Sequence, residues 1–232
     1  MRENRVKDIF SSIAGRYDLL NEILSFRRDK HWRRVAVKTL LNGGGEKYLD
    51  MATGTADIAI EIASQSPKKV EITGLDLTYE MLALGKGKVG RLDLNDSINL
   101  AAADAHSLPF ADNIFDGAIV AFGVRNFANL SVGLGEMGRT IRKGGKLVIL
   151  EFSHPTAPII KELYRLYSRH ILPIIGGIIS GNREAYSYLP ESVSAFPDKD
   201  RLKEIIEEAG FRDVSSTPLT FGVVVIHTAF KE

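Results

Sequence analysis

The chain reads as an α/β protein built on a doubly wound, mostly parallel sheet, and three observations predict it. Between residues 47 and 152, short apolar runs alternate with segments of helical period, the pattern of strands joined by crossover helices. The stretch Tyr48-Leu-Asp-Met-Ala-Thr-Gly-Thr-Ala-Asp57 passes from a strand through a turn of small residues into a helix start. Such a turn lets a ligand approach the backbone where helix N-terminal N–H groups point outward. Acids stand at successive strand ends, Asp50, Asp76 and Asp104, and ligands of open α/β sheets bind at the carboxyl ends of strands.

The elements follow in order. Residues 5–42 read as three helices. Val6, Ile9, Phe10, Ile13 and Ala14 share one apolar face; Leu20, Ile23 and Leu24 form a second short helix; Trp32, Val35, Ala36 and Leu40 form a third. Gly15, Tyr17 and Asp18 interrupt the first pattern. The segment is either a helical cap over the sheet or a lid that turns Tyr17 and Asp18 toward a ligand. Gly43-Gly-Gly45 ends it. Strands are then expected at 47–52, 70–76, 98–103, 116–122 and 145–152, with helices at 57–65, 78–88 and 131–141. In residues 155–196, Ile159, Leu163 and Leu166 give one helical face, followed by the apolar run Ile171–Ile179 and by Tyr186 and Tyr188. This insert either completes the core or offers a greasy tunnel or surface. A helix starting at Asp198 or Asp200 carries Leu202, Ile205, Ile206 and Ala209 and stops at Gly210. Val214–Pro218 and Thr220–Phe230 close the sheet as an antiparallel pair. The expectation is one domain over 1–232, with a cap at 1–45 and the insert at 155–196.

Composition narrows the function classes. Thirty basic side chains meet 29 acidic ones, for a net charge of +1, without the basic excess of a nucleic-acid binder. There is no cysteine, hence no disulfide framework, thiolate zinc site or thiol nucleophile. His31, His106, His154, His170 and His227 show no metal-ligand spacing, so no metal is expected. The N-terminus is charged and lacks a signal-peptide core. The run Ile171–Ile179 falls short of the roughly 18 residues of a membrane span. A cytoplasmic protein is the expectation.

The turn discriminates between nucleotide ligands. A pyrophosphate binder wants G-x-G-x-x-G, whereas Gly54 is the only glycine here and Asp50 and Asp57 flank it. S-adenosylmethionine (SAM) has no phosphate and carries a sulfonium and an ammonium, which acids suit. Asp76, about 20 residues past the turn, is placed to bind ribose hydroxyls. Asp104 could accept from an adenine amino group while the Ala105 N–H donates to the ring, with Leu108 and Phe110 as an apolar wall and Pro109 fixing the loop.

Several stretches carry a resemblance: Phe10-Ser-Ser-Ile-Ala-Gly-Arg-Tyr-Asp-Leu-Leu-Asn21, Trp32-Arg33, Leu49 to Asp57, Phe122-Gly-Val-Arg-Asn126, Leu150-Glu-Phe-Ser153 and Tyr186-Ser-Tyr-Leu-Pro-Glu-Ser192. On these the chain resembles class I SAM-dependent methyltransferases of seven-stranded, Rossmann-like fold. More closely, it resembles the family that C-methylates the quinol ring in menaquinone and ubiquinone biosynthesis. The resemblance implies that Thr55, Asp76, Asp104 and Ala105 contact SAM beside Asp50 and Gly54 of the turn, and that S-adenosylhomocysteine (SAH) is the product. It places Arg125 and Asn126 at the substrate side of the site, which makes them the first candidates to contact the quinol oxygens, and Tyr17 is a candidate donor to the ring oxygen. It implies a prenylated quinol acceptor: demethylmenaquinol, or the methoxybenzoquinol precursor of ubiquinol. Peripheral contact with the inner face of a membrane and a homo-oligomer stay open. So do two competing readings, a methyltransferase of another apolar lipid and a non-catalytic SAM-binding accessory protein. The chain departs from the family's A-G-G-T-G-D turn, with Thr53 and Ala56 where glycines are usual; Asp104 replaces a common Asn and Ala121 a common Ser. His154 is the only histidine near a strand end, just beyond the matching stretch, and is a weaker candidate for proton chemistry.

Overall fold

The computed structural model of the protein describes residues 2–155, 157–167, 171, 174 and 183–232; for 2–4 and 183–187 the description covers backbone only. Seven strands form one sheet: β1 (Lys47–Met51), β2 (Glu71–Asp76), β3 (Ile98–Ala102), β4 (Phe115–Ala121), β5 (Ile141–Phe152), β6 (Phe211–Leu219) and β7 (Val224–Lys231). Their order is β3-β2-β1-β4-β5-β7-β6, parallel through β5 and antiparallel where β7 joins β5 and β6. Because β1 pairs with both β2 and β4, strand order reverses beside it, and a crevice opens beyond its carboxyl end.

Alternation along each strand sends side chains to two cores. Tyr48, Ile72, Ile119, Val148 and Ile226 pack with Trp32, Ala36 and Leu40 of α2 (Arg28–Leu41) and Ile58 and Ile62 of α3 (Asp57–Gln65). Leu49, Met51, Leu75, Ala118, Val120 and Ile149 pack with Leu134 and Met137 of α5 (Leu130–Thr140) and with Leu202 and Ile206 from another helix, Lys199–Glu208. The Lys199–Glu208 helix is capped by Asp198, whose carboxylate accepts the N–H groups of Asp200 and Arg201. The helix α4 (Tyr79–Arg91) follows β2, α6 is Pro158–Leu166, and Arg183–Ser194, here α7, precedes the Lys199–Glu208 helix, α8.

The N-terminal segment differs from the three-helix expectation. A single helix, α1, runs over Arg2–Leu24 without a break at Gly15–Asp18. Burial of Ile9, Ile13 and Leu20 against Tyr188 spans both sides of Gly15, and this outweighs the roughly 1 kcal/mol that an exposed helical glycine costs. Strand β5 also starts four residues earlier than its apolar pattern, because Ile141 pairs with Phe115 before the register shifts. The run Ile171–Ile179 lies outside the described residues apart from Ile171 and Ile174, and the Tyr186 side chain lies outside them too.

The crevice needs a close approach between the two loops that flank it. Ala52 follows β1 with φ 56°, and a Cβ on Gly123, after β4, would lie 2.4 Å from the Ala52 Cβ. Gly123→Ala is therefore expected to lower stability by about 1–3 kcal/mol through overpacking. A urea or thermal melt checks this; an unchanged midpoint contradicts it.

Candidate functional site

The turn after β1 is held by carboxylates on both sides. The Asp50 side chain is buried, with Oδ2 accepting from Thr53 Oγ1 at 2.5 Å and from the Ala59 N–H at 3.1 Å. Its Oδ1 is buried without a hydrogen-bond partner among the described residues. Burial pushes the carboxyl up to about 7, against the pull of the Thr53 and Ala59 hydrogen bonds. At the tip of β2, Asp76 accepts the Gly54 N–H at 2.8 Å and the Thr78 N–H at 2.9 Å, while burial holds its carboxyl above the usual range. Within the turn, Ala52, Gly54 and Ala56 all have positive φ, at 56°, 56° and 68°. Alanine thus occupies a left-handed position that glycine adopts without strain. The space beside Gly54 is open: a Cβ there would meet nothing within 4 Å.

After β3, the Asp104 carboxylate accepts from the His106 N–H at 2.9 Å and lies 2.6 Å from His106 Nδ1. Nε2 of the same ring accepts the Asn129 N–H at 3.0 Å, so Nδ1 carries the proton and donates to Asp104. Burial raises the Asp104 carboxyl, but the His106 hydrogen bonds outweigh it and hold it below the usual value.

These tips enclose a cavity of about 100 Å³, lined by Met51, Ala52, Gly54, Asp76, Asp104, Ala105, Asn126 and Phe127, and roofed by Val6, Lys7, Phe10 and Tyr17 of α1. Its acids are Asp76 and Asp104 and no arginine is among its lining residues. Gly54 leaves room for close approach, and Met81, Ala105 and Phe127 supply apolar contact. This set fits SAM, a phosphate-free cation with an adenosine moiety.

A second cavity, of about 460 Å³, adjoins it. It is lined by Ile9, Ile13, Leu24, Phe26, Trp32, Phe152, Tyr164, Tyr167, Tyr188 and Leu189, with Asp29, Arg33 and Arg125 among the apolar groups. Phe10, Tyr17 and Phe122 line both cavities. An aromatic wall backs the junction: Phe122 lies 4.8 Å from Phe152 and 6.1 Å from Trp32 between ring centroids. The indole N–H of Trp32 donates to Thr220 Oγ1 at 2.8 Å. Phe122 holds φ 57°, a strained conformation for a bulky residue, of the kind that clusters at functional sites.

The sequence candidates are thus distributed. Gly54, Asp76, Asp104, Ala105 and Asn126 line the smaller cavity, Arg125 the larger, and Tyr17 both. Asp50 and Thr55 line neither; Thr55 Oγ1 donates to Asp18 at 2.7 Å and accepts from Lys88 at 2.9 Å. Arg125 donates from Nη1 to Glu151 at 2.7 Å and to the Phe122 carbonyl, with Glu151 buried beneath it and its carboxyl raised by burial against the pull of Arg125. Asn126 accepts from the Tyr188 hydroxyl at 2.8 Å. His154 is exposed and lines neither cavity, and Leu108 and Phe110 pack in the core beside Ala105 and Phe127. Sequence reasoning passed over Asp29, Arg33, Phe122 and Lys88. For the first two the signal was available: Asp29 and Arg33 are four apart on one helix, the spacing of an ion pair.

The ubiE/COQ5 methyltransferase family model matches residues 1–231. A ubiquinone/menaquinone biosynthesis C-methyltransferase UbiE of Geobacter sp. (strain M21) is 47% identical over 228 residues, 98% of this chain and 96% of its own. A demethylmenaquinone methyltransferase of Deinococcus radiodurans is 46% identical over 218 residues, 94% of this chain and 89% of its own. Among solved structures, a SAM-dependent methyltransferase from Thermotoga maritima superposes with a TM-score of 0.67 at 17% identity, over 97% of this chain and 99% of its own.

Asp50 gives a pH dependence whose sign follows from its raised ionisation. A carboxyl that ionises near 7 when folded and near 4 when unfolded stabilises the fold fully below about pH 4 and loses that contribution as pH rises through 7. The stability difference between wild type and Asp50→Asn is expected to shift in favour of the variant, on the order of a few kcal/mol, from pH 4 to pH 8. Urea unfolding across that range checks it; a constant difference contradicts it.

Proposed function

This chain belongs to the ubiE/COQ5 methyltransferase family, and on that premise we propose that it transfers a methyl group from SAM to a ring carbon of a prenylated quinol. The acceptor is demethylmenaquinol, with the methoxybenzoquinol precursor of ubiquinol as the alternative. The chain is a SAM-dependent methyltransferase. The observation that carries the acceptor reading is the junction of the two cavities at Phe10, Tyr17 and Phe122: a smaller chamber that holds Asp76 and Asp104 adjoins a larger one walled by aromatic and aliphatic side chains. A ring at the junction has its apolar tail accommodated on the larger side. We read the chain as one catalytic domain.

Bound SAM supplies an electrophilic methyl on sulfur. The chain's own residues bind and align. Asp76 and Asp104 offer carboxylate oxygens to ribose and adenine, and the Ala105 N–H donates to the base. Tyr17, on α1, lines both chambers and is the donor proposed for the ring oxygen. Asn126, held by Tyr188, faces the smaller chamber and fixes one edge of the acceptor. Arg125, paired with Glu151, places positive charge on the larger-chamber side. Holding carbon, methyl and sulfur in line is the positioning part of the rate enhancement.

Tail entry sets the membrane reading. No helix among the described residues is long and apolar enough to cross a bilayer. Helix α6 has no buried side chain; Ile159, Leu163 and Leu166 stand exposed on it. Tyr167 just beyond it contacts the exposed Phe26 at the rim of the larger cavity. Exposed apolar groups concentrated at a cavity mouth favour peripheral docking on a lipid surface.

Methyl transfer from labelled SAM to each of the two reduced quinols tests the acceptor. Transfer to one identifies the ring, and SAM binding with no transfer to either overturns the reading. Asp76→Ala is expected to weaken SAH binding at least about tenfold, roughly 1.4 kcal/mol, by calorimetry; unchanged affinity removes its role. Ile159→Asp with Leu163→Asp is expected to reduce cosedimentation with anionic vesicles while leaving SAH affinity intact, and unchanged cosedimentation excludes α6 as the docking face.

A further inference from the structure

Arg33 is an exceptional cation in this fold. It sits on α2, is 9% exposed, and lines the larger cavity. Its Nη1 pairs with Asp29 at 2.5 Å and stands 3.4 Å from Asp57. Asp29 is itself oriented by the Ser25 hydroxyl at 2.7 Å, and Asp57 is shared with Lys88 at 2.6 Å. Among the described residues, Nε and Nη2 of Arg33 have no hydrogen-bond partner, yet neither is sealed in protein. These donors are therefore open to the cavity and available to an anionic group that enters it and displaces water. Arg125 is different: a wholly buried carboxylate and a backbone carbonyl already face its Nη1.

The location is also specific. The Arg33 guanidinium lies 5.9 Å from the centroid of Phe122, one of the residues common to both cavities. It therefore stands near the end of the larger cavity that adjoins the smaller one. A phenol already feels it there: burial raises the Tyr17 hydroxyl, and the strongest opposing influence is Arg33, ahead of Asn21 and Arg125.

We propose that Arg33 is a catalytic residue of the methyl transfer, holding the acceptor's ionised ring oxygen through the guanidinium N–H groups that face the larger cavity. The inference rests on the quinol reading above. In the step, the acceptor O–H bond breaks and its proton passes to water. The oxygen's electron pair flows into the ring, and the ring carbon bonds to the methyl as the carbon–sulfur bond breaks, its pair staying on sulfur. Loss of the ring C–H proton to water restores aromaticity and the oxygen takes a proton back, so one proton is released overall. Arg33 keeps its charge throughout; the oxyanion is the species it stabilises. The charged and titratable groups that act with it are Asp29 on α2, Asp57 on α3, Asp50 on β1, Tyr17 on α1 and Arg125 after β4.

The test uses 1-naphthol as a non-transferring phenol, titrated by absorbance with the SAH-bound enzyme. Wild type is expected to ionise bound naphthol at least one pH unit below free naphthol, Arg33→Gln to abolish that shift, and Arg33→Lys to retain part of it. With the quinol acceptor, Arg33→Gln is expected to lower kcat at least tenfold and move the rising limb of the pH profile upward by a unit or more, with SAH affinity unchanged. Should Arg33→Gln not fold, Asp29→Asn leaves the guanidinium less compensated and is expected to shift naphthol further down. An Arg33→Gln enzyme with the wild-type naphthol shift, or an Asp29→Asn enzyme that moves it upward or not at all, overturns the assignment. A wild type that transfers to neither quinol but shifts naphthol through Arg33 removes the quinol reading and leaves the oxyanion site standing.

Discussion

The geometry of both chambers depends on one buried carboxylate. Asp50 is the penultimate residue of the central strand of the parallel sheet and binds across the following turn to Thr53 and on to Ala59 in the first turn of α3. A strand, a tight turn and a helix are thereby held at one angle by a side chain with almost no solvent. From that angle follow the position of Gly54 over the tip of β2, where Asp76 takes its N–H, and the place of Asp57 at the start of α3, where Lys88 and Arg33 converge. Burying the carboxyl is unfavourable in itself, and its raised ionisation reflects that cost. Precision at the turn is obtained at the expense of stability, as is common where ligands bind.

Charge in this molecule is layered around that turn. Asp76 and Asp104 line the smaller cavity, beside Lys7, while the guanidinium groups of Arg33 and Arg125 line the larger, beside Asp29. Under the proposed reaction, a cationic donor beside the first pair and an acceptor gaining negative charge beside the second are each met by the opposite sign. Neither cation is carried without support: Glu151 lies behind Arg125 and Asp29 behind Arg33. The ring of Phe152 lies 5.6 Å from the Arg125 guanidinium and that of Phe122 5.9 Å from Arg33, so aromatic faces add to the stabilisation of each buried charge.

Much of the fold was legible because strand and helix periods are local. The runs at Tyr48, Ile72 and Val148 and the crossover helices between them declare a parallel sheet, and the strand-end acids mark its functional edge. The single helix α1 was not legible, because what carries it across Gly15 is a tertiary contact with Tyr188, far along the chain. At the site, residues near strand tips were readable from position, as with Asp76 and Asp104. Asp50 and Thr55 were readable as belonging to the turn, but their side chains point into its support and away from the cavity. Arg33 was legible as an ion-pair partner of Asp29, but its place at the cavity was not. It lies on a helix whose neighbours Trp32, Ala36 and Leu40 announce a core face, and only the folded chain brings that face to the cavity.

The continuity of α1 has a kinetic consequence. One unbroken helix supplies Val6, Lys7, Phe10 and Tyr17 to the roof of the smaller chamber and Ile9, Ile13 and Leu24 to the wall of the larger. It is tied to the cofactor turn by Asp18, which accepts from Thr55 and pairs with Lys88 at 2.6 Å. A rigid lever of this kind has no joint at which one compartment opens alone. Any displacement of α1 acts on both compartments at once, so that the proposed release of spent donor and methylated product is coupled through one element.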